Sequence, residues 1–363
     1  MYELFQKLKI RLFLLFFVIV AFSNTTFSQG DGLFDDPLLV PAKNQEAQLA
    51  YNKGISLFNR GEYSEAIKNF TTSIGYDNNF SKAYVNRGNT YAQMGEYTLA
   101  LEDFSHVITK GNAPGSVYYN RGRVYDQTSK RDSAIVDYTL AINNNFEDYK
   151  VYYYRGVQYF LENDYDKSIT DLEKSVNIKP DFAYGWNDLG SCYRKKGNFE
   201  EASKNYLKAL NISPLQAFIH SNIGSLKREQ KEYHDAIASY SMALSLDSSL
   251  YMVWSNRGCT YIDVGNYEKA IEDLNVSILL QDDFAYSYNN LGTAFIKLKK
   301  YAEAITYLNK AIELNPEYGE AYLNRGNAKE MARDQKGACN DWKQALKLGL
   351  QQASNYIIYC ETD

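Results

Sequence analysis

The stretch AYSYNNLGTAFIKLKKYAEAITYLNKAIELNPEY, residues 285–318, is one copy of a unit that recurs through most of this 363-residue chain. Its reference point is Gly292, and a glycine stands at the same place in every other copy. Successive glycines are 34 residues apart with no insertion or deletion, and a fixed period of this size indicates a repeat architecture. The nine glycines are Gly54, Gly88, Gly122, Gly156, Gly190, Gly224, Gly258, Gly292 and Gly326.

Each unit has the residue spacing of a helical hairpin. A large, usually aromatic residue follows the glycine by three positions, a small residue by twelve and a bulky residue by sixteen, as in Phe295, Ala304 and Leu308. Spacings of three and four place apolar side chains on one face of an α-helix. A glycine marks the turn between the two halves of several units, at Gly61, Gly95, Gly197 and Gly265. Each unit is therefore predicted to be two helices joined by a short turn.

The repeat glycine predicts a close approach between the two helices of a unit. A glycine inside an exposed helix costs about 1 kcal/mol relative to alanine, so nine of them at one position require a compensating contact. Packing of a small residue against a large one across the hairpin supplies such a contact.

This pattern resembles the tetratricopeptide repeat (TPR) family over about residues 45–348. The family has an aromatic residue four positions before the glycine, matched here by Tyr84, Tyr118, Tyr152, Trp186, Trp254, Tyr288 and Tyr322. It also has a proline after the second helix, matched by Pro180, Pro214 and Pro316. The first unit has Ala50 and the sixth has His220 at the aromatic position, and six units lack the proline. The resemblance implies an all-α solenoid, a right-handed superhelix of nine helix-turn-helix repeats with a concave binding groove.

The two ends of the chain differ from the repeats. Residues 29–46, which include Pro37 and Pro41, have no repeat character and are expected to form an extended tail. Residues 47–348 hold the nine units. Residues 349–363 contain an amphipathic stretch from Gln351 to Cys360 that is expected to form a helix capping the last unit.

Residues 1–28 have the composition of a signal peptide. Lys7, Lys9 and Arg11 precede an apolar run from Leu12 to Phe22, and small polar residues follow it. As a helix, the eleven residues of this run would span about 16 Å, against about 30 Å for a bilayer core, which favours a cleaved signal over a membrane anchor. The expected location is the periplasm of a Gram-negative bacterium, with outer-membrane attachment or secretion as alternatives.

Charge and motifs argue against nucleic-acid binding and catalysis. The formal net charge is −5, and no basic block occurs after Arg11, so the electrostatic footprint of a nucleic-acid partner is missing. The three histidines, His106, His220 and His234, lack metal-ligand spacing, and no phosphate loop or nucleophile motif occurs. We expect no enzyme activity, no cofactor and no metal.

An arginine and an aspartate occur together in five of the nine units. The arginine directly precedes the repeat glycine and the aspartate follows it by fifteen residues, whereas the other four units have neither. The simplest interpretation is an ion pair across each hairpin with a structural role. The predicted pairs are Arg87–Asp103, Arg121–Asp137, Arg155–Asp171, Arg257–Asp273 and Arg325–Asp341.

An asparagine stands two residues before the glycine in seven units, and Tyr154 and Asp188 interrupt this series. In TPR proteins this position resembles a ladder of amides that bind the backbone of an extended peptide, because an amide both donates and accepts hydrogen bonds. The alternative is that each amide binds the neighbouring helix. The series is Asn52, Asn86, Asn120, Asn222, Asn256, Asn290 and Asn324.

Two further groups are candidates for the same groove. Arg194, Lys195 and Arg228 could form a basic patch, but an ordinary solvated charged face is the favoured interpretation. Tyr119, Tyr153 and Tyr184 offer rigid contact area or, alternatively, internal packing.

The four cysteines divide into two classes. Cys192 and Cys259 lie two units apart and are expected to stay free, since stacked repeats contact only their neighbours. Cys339 and Cys360 lie on the last repeat and its cap, where a disulfide is predicted for an exported protein.

The hypothesis that follows is an interaction scaffold that binds a peptide or protein segment in its concave groove. The alternative is a structural or assembly component of a cell-envelope complex, membrane-associated, that uses the convex face or the edges. The identity of the partner does not follow from a repeat fold.

Overall fold

The structure, a computed structural model, describes residues 43–358 and residue 360. The predicted signal peptide and most of the predicted tail lie outside these residues. The described part contains helices and turns and no strand. Eighteen helices form nine hairpins, and the first and second helix of each unit are called helix A and helix B below.

In units one to five the helices are Gln45–Asn59 and Tyr63–Tyr76, Ser81–Gln93 and Tyr97–Thr109, Gly115–Gln127 and Arg131–Asn143, Tyr149–Leu161 and Tyr165–Ile178, and Ala183–Lys195 and Phe199–Ile212. In units six to nine they are Ala217–Glu229 and Tyr233–Leu246, Tyr251–Asp263 and Tyr267–Leu280, Ala285–Lys297 and Tyr301–Leu314, and Gly319–Met331 and Gln335–Lys347. The first helix begins at Gln45, two residues before the predicted start of the repeats, because the Asn44 side chain accepts a hydrogen bond from the Ala47 backbone N–H.

The hairpin turn has the same backbone conformation in all nine units. The residue seven positions after the repeat glycine has a positive φ, for example 78° at Gly61 and 76° at Gly197. The predicted turn glycines are confirmed, because this left-handed conformation carries no steric penalty for glycine. Five units use another residue there and accept some strain. They are Ser129, Asn163, Lys231, Lys299 and Arg333.

The repeat glycine packs directly against the bulky residue of helix B. A Cβ added at Gly292 would lie 2.6 Å from Leu308, and one at Gly326 would lie 2.6 Å from Trp342. Real Cβ atoms essentially never show nonbonded contacts this short, so the helices could not approach as closely with a larger residue at this position. The predicted close approach is confirmed, and it explains why glycine recurs at this position.

The chain divides at Asn205 and Tyr206 into two compact blocks, which are described separately here as the N-terminal and C-terminal blocks. Consecutive helices pack against each other from unit one to helix A of unit five and again from unit six to unit nine, and in most units helix A also contacts the helix A of the next unit. The apolar side chains between helices form successive core clusters rather than one central core.

The end of the C-terminal block is closed by a short segment after unit nine. A single 3₁₀ turn, Gln351–Ala353, leads into a short helix, Ser354–Ile357, which is shorter than the predicted capping helix because so few residues cannot sustain a helix alone. Tertiary contacts hold it. The Tyr356 ring stacks on Trp342 with centroids 5.2 Å apart, and Cys360 forms a disulfide with Cys339. Cys192 and Cys259 are free thiols.

Candidate functional site

Side-chain hydrogen bonds join the helices A of successive units in both blocks. The Tyr153 hydroxyl donates to Asp188 at 2.8 Å, and Asn324 Nδ2 donates to Asn289 Oδ1 at 2.9 Å. The A face is defined as the surface of the helices A that carries the residues two positions before and one position after each repeat glycine. It is the surface on which sequence analysis places the asparagine series.

In the N-terminal block, two of the three predicted asparagines are buried. Asn52 is exposed and accepts a hydrogen bond from Gln48. Asn86 is buried, and its Nδ2 donates to the Tyr51 hydroxyl at 2.8 Å. Asn120 is also buried. The burial of Asn86 and Asn120 argues against the peptide contact predicted for them.

In the C-terminal block, the same series is more accessible. Asn222 is buried, and Asn324 binds Asn289 and Thr293 of the preceding helix A, which is the alternative role predicted for the series. Asn256 and Asn290 are half-buried. Asn324 is half-buried as well, but its amide already donates to the preceding helix A.

Several buried carboxamide atoms on the A face of units two and three have no hydrogen-bond partner. They are Asn86 Oδ1, both polar atoms of Asn89, Gln93 Oε1 and both polar atoms of Asn120. A buried polar atom without a hydrogen bond lowers the free energy of unfolding by about 1–3 kcal/mol. This face therefore holds an unusual number of polar atoms whose hydrogen-bonding capacity is unmet. Sequence analysis missed Asn89 and Gln93, although they lie three and seven residues after Asn86 and therefore share its helix face.

The two arginines of the predicted basic patch are either buried or paired with an acid. Arg194 is 7% exposed, which removes it from the protein surface. Arg228 donates through Nε to Asp263 at 2.7 Å and through Nη2 to the Cys259 sulfur at 3.0 Å, so its charge is compensated inside the C-terminal block. Lys195 is exposed.

Two of the three candidate tyrosines belong to the core of the N-terminal block. Tyr119 and Tyr153 are buried in an aromatic cluster that also contains Tyr138 and Tyr154, whereas Tyr184 is half-buried at its edge. The guanidinium of Arg123 lies over the Tyr154 ring at 3.7 Å from its centroid. The packing role considered for these tyrosines is the one that Tyr119 and Tyr153 have.

Asp188 replaces the asparagine of unit five and lies beside a small cavity. The cavity, about 10 Å³, has room for one water molecule and is lined by Asp188, Ser191, Val157, Phe160 and Leu172. Burial raises the pKa of the Asp188 carboxyl to about 6, although hydrogen bonds from Tyr153 and Asn187 partly oppose the shift. The interruption of the asparagine series at Asp188 is visible in the sequence, but the raised pKa of its carboxyl is not.

All five predicted arginine–aspartate pairs form. Each guanidinium binds its aspartate through both Nε and Nη2, with distances between 2.6 and 2.9 Å. Burial raises the pKa of Asp103 and Asp171 despite the arginine, so desolvation offsets much of the Coulomb attraction. The pairs are Arg87–Asp103, Arg121–Asp137, Arg155–Asp171, Arg257–Asp273 and Arg325–Asp341.

Each of these arginines also reaches the preceding unit, a contact that sequence analysis missed. Arg257 Nη1 donates to the Ser241 hydroxyl at 2.9 Å, and the guanidinium lies over the rings of Trp254 and Tyr261. The acceptor stands sixteen residues before the arginine every time: Thr71, Ser105, Thr139, Ser241 and Asn309. The arginine therefore joins its own hairpin to helix B of the previous one.

Within residues 43–358 and 360, no group of three or more histidine, cysteine, aspartate or glutamate residues is arranged to hold a metal ion. Among the helices of the same residues, none is both long enough and apolar enough to cross a membrane.

Family comparison adds an independent line of information. Sequence models described as tetratricopeptide repeat match residues 51–117, 115–148, 149–182, 181–249, 253–283 and 285–318. A comparison with curated proteins finds no match.

Solved structures with a similar fold include three of low sequence identity. The APC/C hetero-tetramer Cut9-Hcn1 superposes with a TM-score of 0.58 at 12% identity, covering 90% of this chain and 78% of that one. A tetratricopeptide repeat protein from Parabacteroides merdae ATCC 43184 superposes with a TM-score of 0.56 at 16% identity, covering 70% of this chain and 97% of that one. PilW, a widely conserved type IV pilus biogenesis factor, superposes with a TM-score of 0.54 at 17% identity, covering 58% of this chain and 98% of that one. At these identities the likeness concerns the fold alone.

Proposed function

The chain belongs to the tetratricopeptide repeat family, whose fold supports a general role as a protein-interaction scaffold, and from this premise we propose that it binds an extended polypeptide segment on the A face of its C-terminal block. The observation that carries the proposal is the pair of half-buried asparagines, Asn256 and Asn290, at equivalent positions of consecutive helices A. Each amide has one donor and one acceptor group, which match the N–H and C=O groups of a peptide backbone.

Rigidity of this surface supports the same proposal. Cores on both sides of each helix A hold the backbone in place, and side-chain hydrogen bonds between helices A hold Asn324 and Arg228. A surface that is ordered before binding loses little conformational entropy when a ligand docks. A modest number of hydrogen bonds can then produce useful affinity.

The test is a peptide-array screen of residues 29–363 and of two double variants. Changing Asn256 and Asn290 to alanine is expected to weaken binding of the array hits at least about tenfold, since two peptide hydrogen bonds are lost at about 0.5–1.5 kcal/mol each. The matched control changes Asn177 and Asn211 to alanine. These are exposed asparagines on helices B with the same 34-residue spacing.

Equal affinity for the A-face variant and the control would reject the proposal, provided that both melt like the wild type. If the unaltered chain instead co-purifies with envelope membranes and neither variant changes this, an assembly role on another surface replaces the peptide-binding role.

We also propose that the protein is exported. The apolar run from Leu12 to Phe22 after three basic residues supports export, and the Cys339–Cys360 disulfide is typical of oxidising compartments. Mass spectrometry of the protein purified from the envelope fraction should show an N-terminus near residue 29 and two free thiols after unfolding. An intact N-terminus, or protein recovered only from the cytoplasm, would contradict export.

A further inference from the structure

A chain of four aromatic rings runs across units seven to nine. Ring centroids are 5.0 Å apart for Tyr251 and Phe284, 5.5 Å for Phe284 and Tyr286, and 4.7 Å for Tyr286 and Tyr318. Phe284 and Tyr318 are buried, whereas Tyr286 is 41% exposed. Tyr286 is thus an exposed ring whose orientation is held by a ring on each side, one turn before Asn290 on the same helix.

The exposed Glu320 carboxylate lies near this ring. Residues 281–296 and 311–324 contain no lysine or arginine, but they include Asp282, Asp283, Glu313, Glu317 and Glu320. Burial raises the pKa of the Tyr286 hydroxyl, and the nearby Glu320 carboxylate raises it further. Lys310 pairs with Glu313 and also interacts electrostatically with Asp282.

The molecule itself shows what fits an aromatic ring beside a carboxylate. In unit seven, Arg257 lies over Trp254 and Tyr261 while it binds Asp273, and Arg325 has the same relation to Tyr322 and Asp341. The face of an aromatic ring is negative and attracts cations, and a carboxylate adds a charged hydrogen-bond acceptor. Tyr286 and Glu320 present the same two groups on the surface.

We infer that Tyr286 and Glu320 form a binding site for a basic side chain, lysine or arginine, of the bound polypeptide. The inference rests on the proposed function, because the cation belongs to a peptide whose backbone contacts Asn256 and Asn290. An anionic side chain would be repelled here, and an apolar one would leave Glu320 unused. The partner is accordingly a segment with a basic residue beside an extended stretch.

The test uses defined probes in fluorescence anisotropy at low and at physiological ionic strength. The first probe is a fluorescein-labelled peptide of about twelve residues with lysines in a glycine-serine background. The other two are the same peptide with norleucine or with glutamate in place of lysine. We expect the lysine peptide to bind the full mature chain, with weaker binding at higher salt, and the other two to bind at least about tenfold more weakly.

Variants then locate the site. Tyr286→Ala and Glu320→Gln should each weaken binding of the lysine peptide about two- to fivefold, whereas Tyr286→Phe should bind like the wild type because it keeps the ring face. The controls are Tyr76→Ala and Glu303→Gln, an exposed tyrosine and an exposed glutamate on helices B. Glu320→Gln and Tyr286→Phe alter no core contact, so they remain informative if Tyr286→Ala lowers the melting temperature.

The outcomes separate this inference from the proposed function. If Tyr286→Ala and Glu320→Gln bind the lysine peptide as tightly as the controls, the inference is overturned. If they weaken it while the Asn256 and Asn290 double variant does not, the basic-residue site stands and the backbone site fails. Equal binding of the norleucine and lysine peptides would also overturn the inference, since the site would then recognise apolar contact rather than charge.

Discussion

At the scale of single residues, the repeat glycine determines how closely the helices of a hairpin pack. The side chain sixteen residues later occupies the space that a Cβ would fill, from Phe70 in the first unit to Trp342 in the last. The glycine lowers helix propensity, and the buried aromatic or aliphatic contact more than offsets this cost. Loss of helix propensity at the glycine and gain of a buried contact recur together along the chain.

Gly292→Ala is therefore expected to destabilise the protein by about 1–3 kcal/mol through overpacking against Leu308. The control is Gly75→Ala on helix B of unit one, where an added methyl group meets no atom within 4 Å and alanine should be neutral or stabilising by up to about 1 kcal/mol. Urea denaturation measures both. Equal stability of Gly292→Ala and wild type would mean that Leu308 can move aside, which the tight packing argues against.

Asp188 is a second position at which one side chain affects stability. Its carboxyl has a pKa of about 6 in the folded chain and an ordinary value near 3.8 when unfolded. The folded state thus binds the proton more tightly, and the stabilising effect is present in full below about pH 4 and is lost as pH rises through about 6. Asp188→Asn removes this dependence and restores the asparagine of the other units.

We expect Asp188→Asn to match the wild type at pH 4 and to exceed its free energy of unfolding by about 1–3 kcal/mol at pH 7.5. Chemical denaturation of both proteins across this pH range measures the difference in the free energy of unfolding. The contributions of titratable groups that both proteins share cancel in this difference. A difference that does not change with pH would show that Asp188 keeps an ordinary pKa.

At the scale of helices and hairpins, the arginine–aspartate pairs connect units as well as closing them. The arginine binds its own helix B through the aspartate and the preceding helix B through a hydroxyl or amide. Units five and eight have Leu189 and Leu291 in place of the arginine, and both are buried. Apolar packing can therefore substitute for the ionic contact at this position, in agreement with the small net energy of many buried pairs.

Asp273→Asn should cost about 1–3 kcal/mol, because it leaves the Arg257 guanidinium without its charged partner. The double change Arg257→Leu and Asp273→Asn copies the natural combination of Leu189 and Asn205 in unit five and should recover at least half of the loss. Thermal denaturation is the measurement. Glu65→Gln, which breaks the exposed pair with Lys68, is the control and should change stability by less than about 0.5 kcal/mol.

If the double variant is less stable than Asp273→Asn alone, the bond from Arg257 to Ser241 of the preceding unit outweighs the cost of an unpaired charge. The inter-unit contact would then be the main role of the arginine.

At the scale of the whole molecule, stability comes from contacts between neighbours in sequence. Through most of each block, helices contact those before and after them, and in most units helix A contacts the next helix A. A chain of this kind is described by the stability of each unit and of each interface between units. When one complete unit is removed, the unit before it and the unit after it can pack through the same kind of interface that each formed with the removed unit.

Deletion of residues 285–318, one full period, should give a chain with unchanged helicity per residue and cooperative thermal unfolding. Deletion of residues 285–301, half a period, should lower the helicity and broaden the transition, since it leaves a helix B without its partner. Circular dichroism distinguishes the two. Equal loss of structure in both deletions would indicate contacts beyond nearest neighbours.

Local spacing was enough to predict most of the fold. The 34-residue period, the apolar positions three and four apart and the turn glycines specify hairpins that stack, because helix geometry converts residue spacing directly into a face. The arginine–aspartate pairs could be predicted for the same reason, since partners sixteen residues apart lie on the two helices of one hairpin.

Accessibility was decided by the tertiary structure. Asn86, Asn120, Asn256 and Asn290 hold the same position in the repeat, yet two are covered and two keep solvent contact. The burial of Arg194 and the exposure of Tyr286 were equally unpredictable. Each depends on side chains contributed by neighbouring helices up to a full repeat away, and the local pattern that determines a helix carries no information about which side chains cover its face.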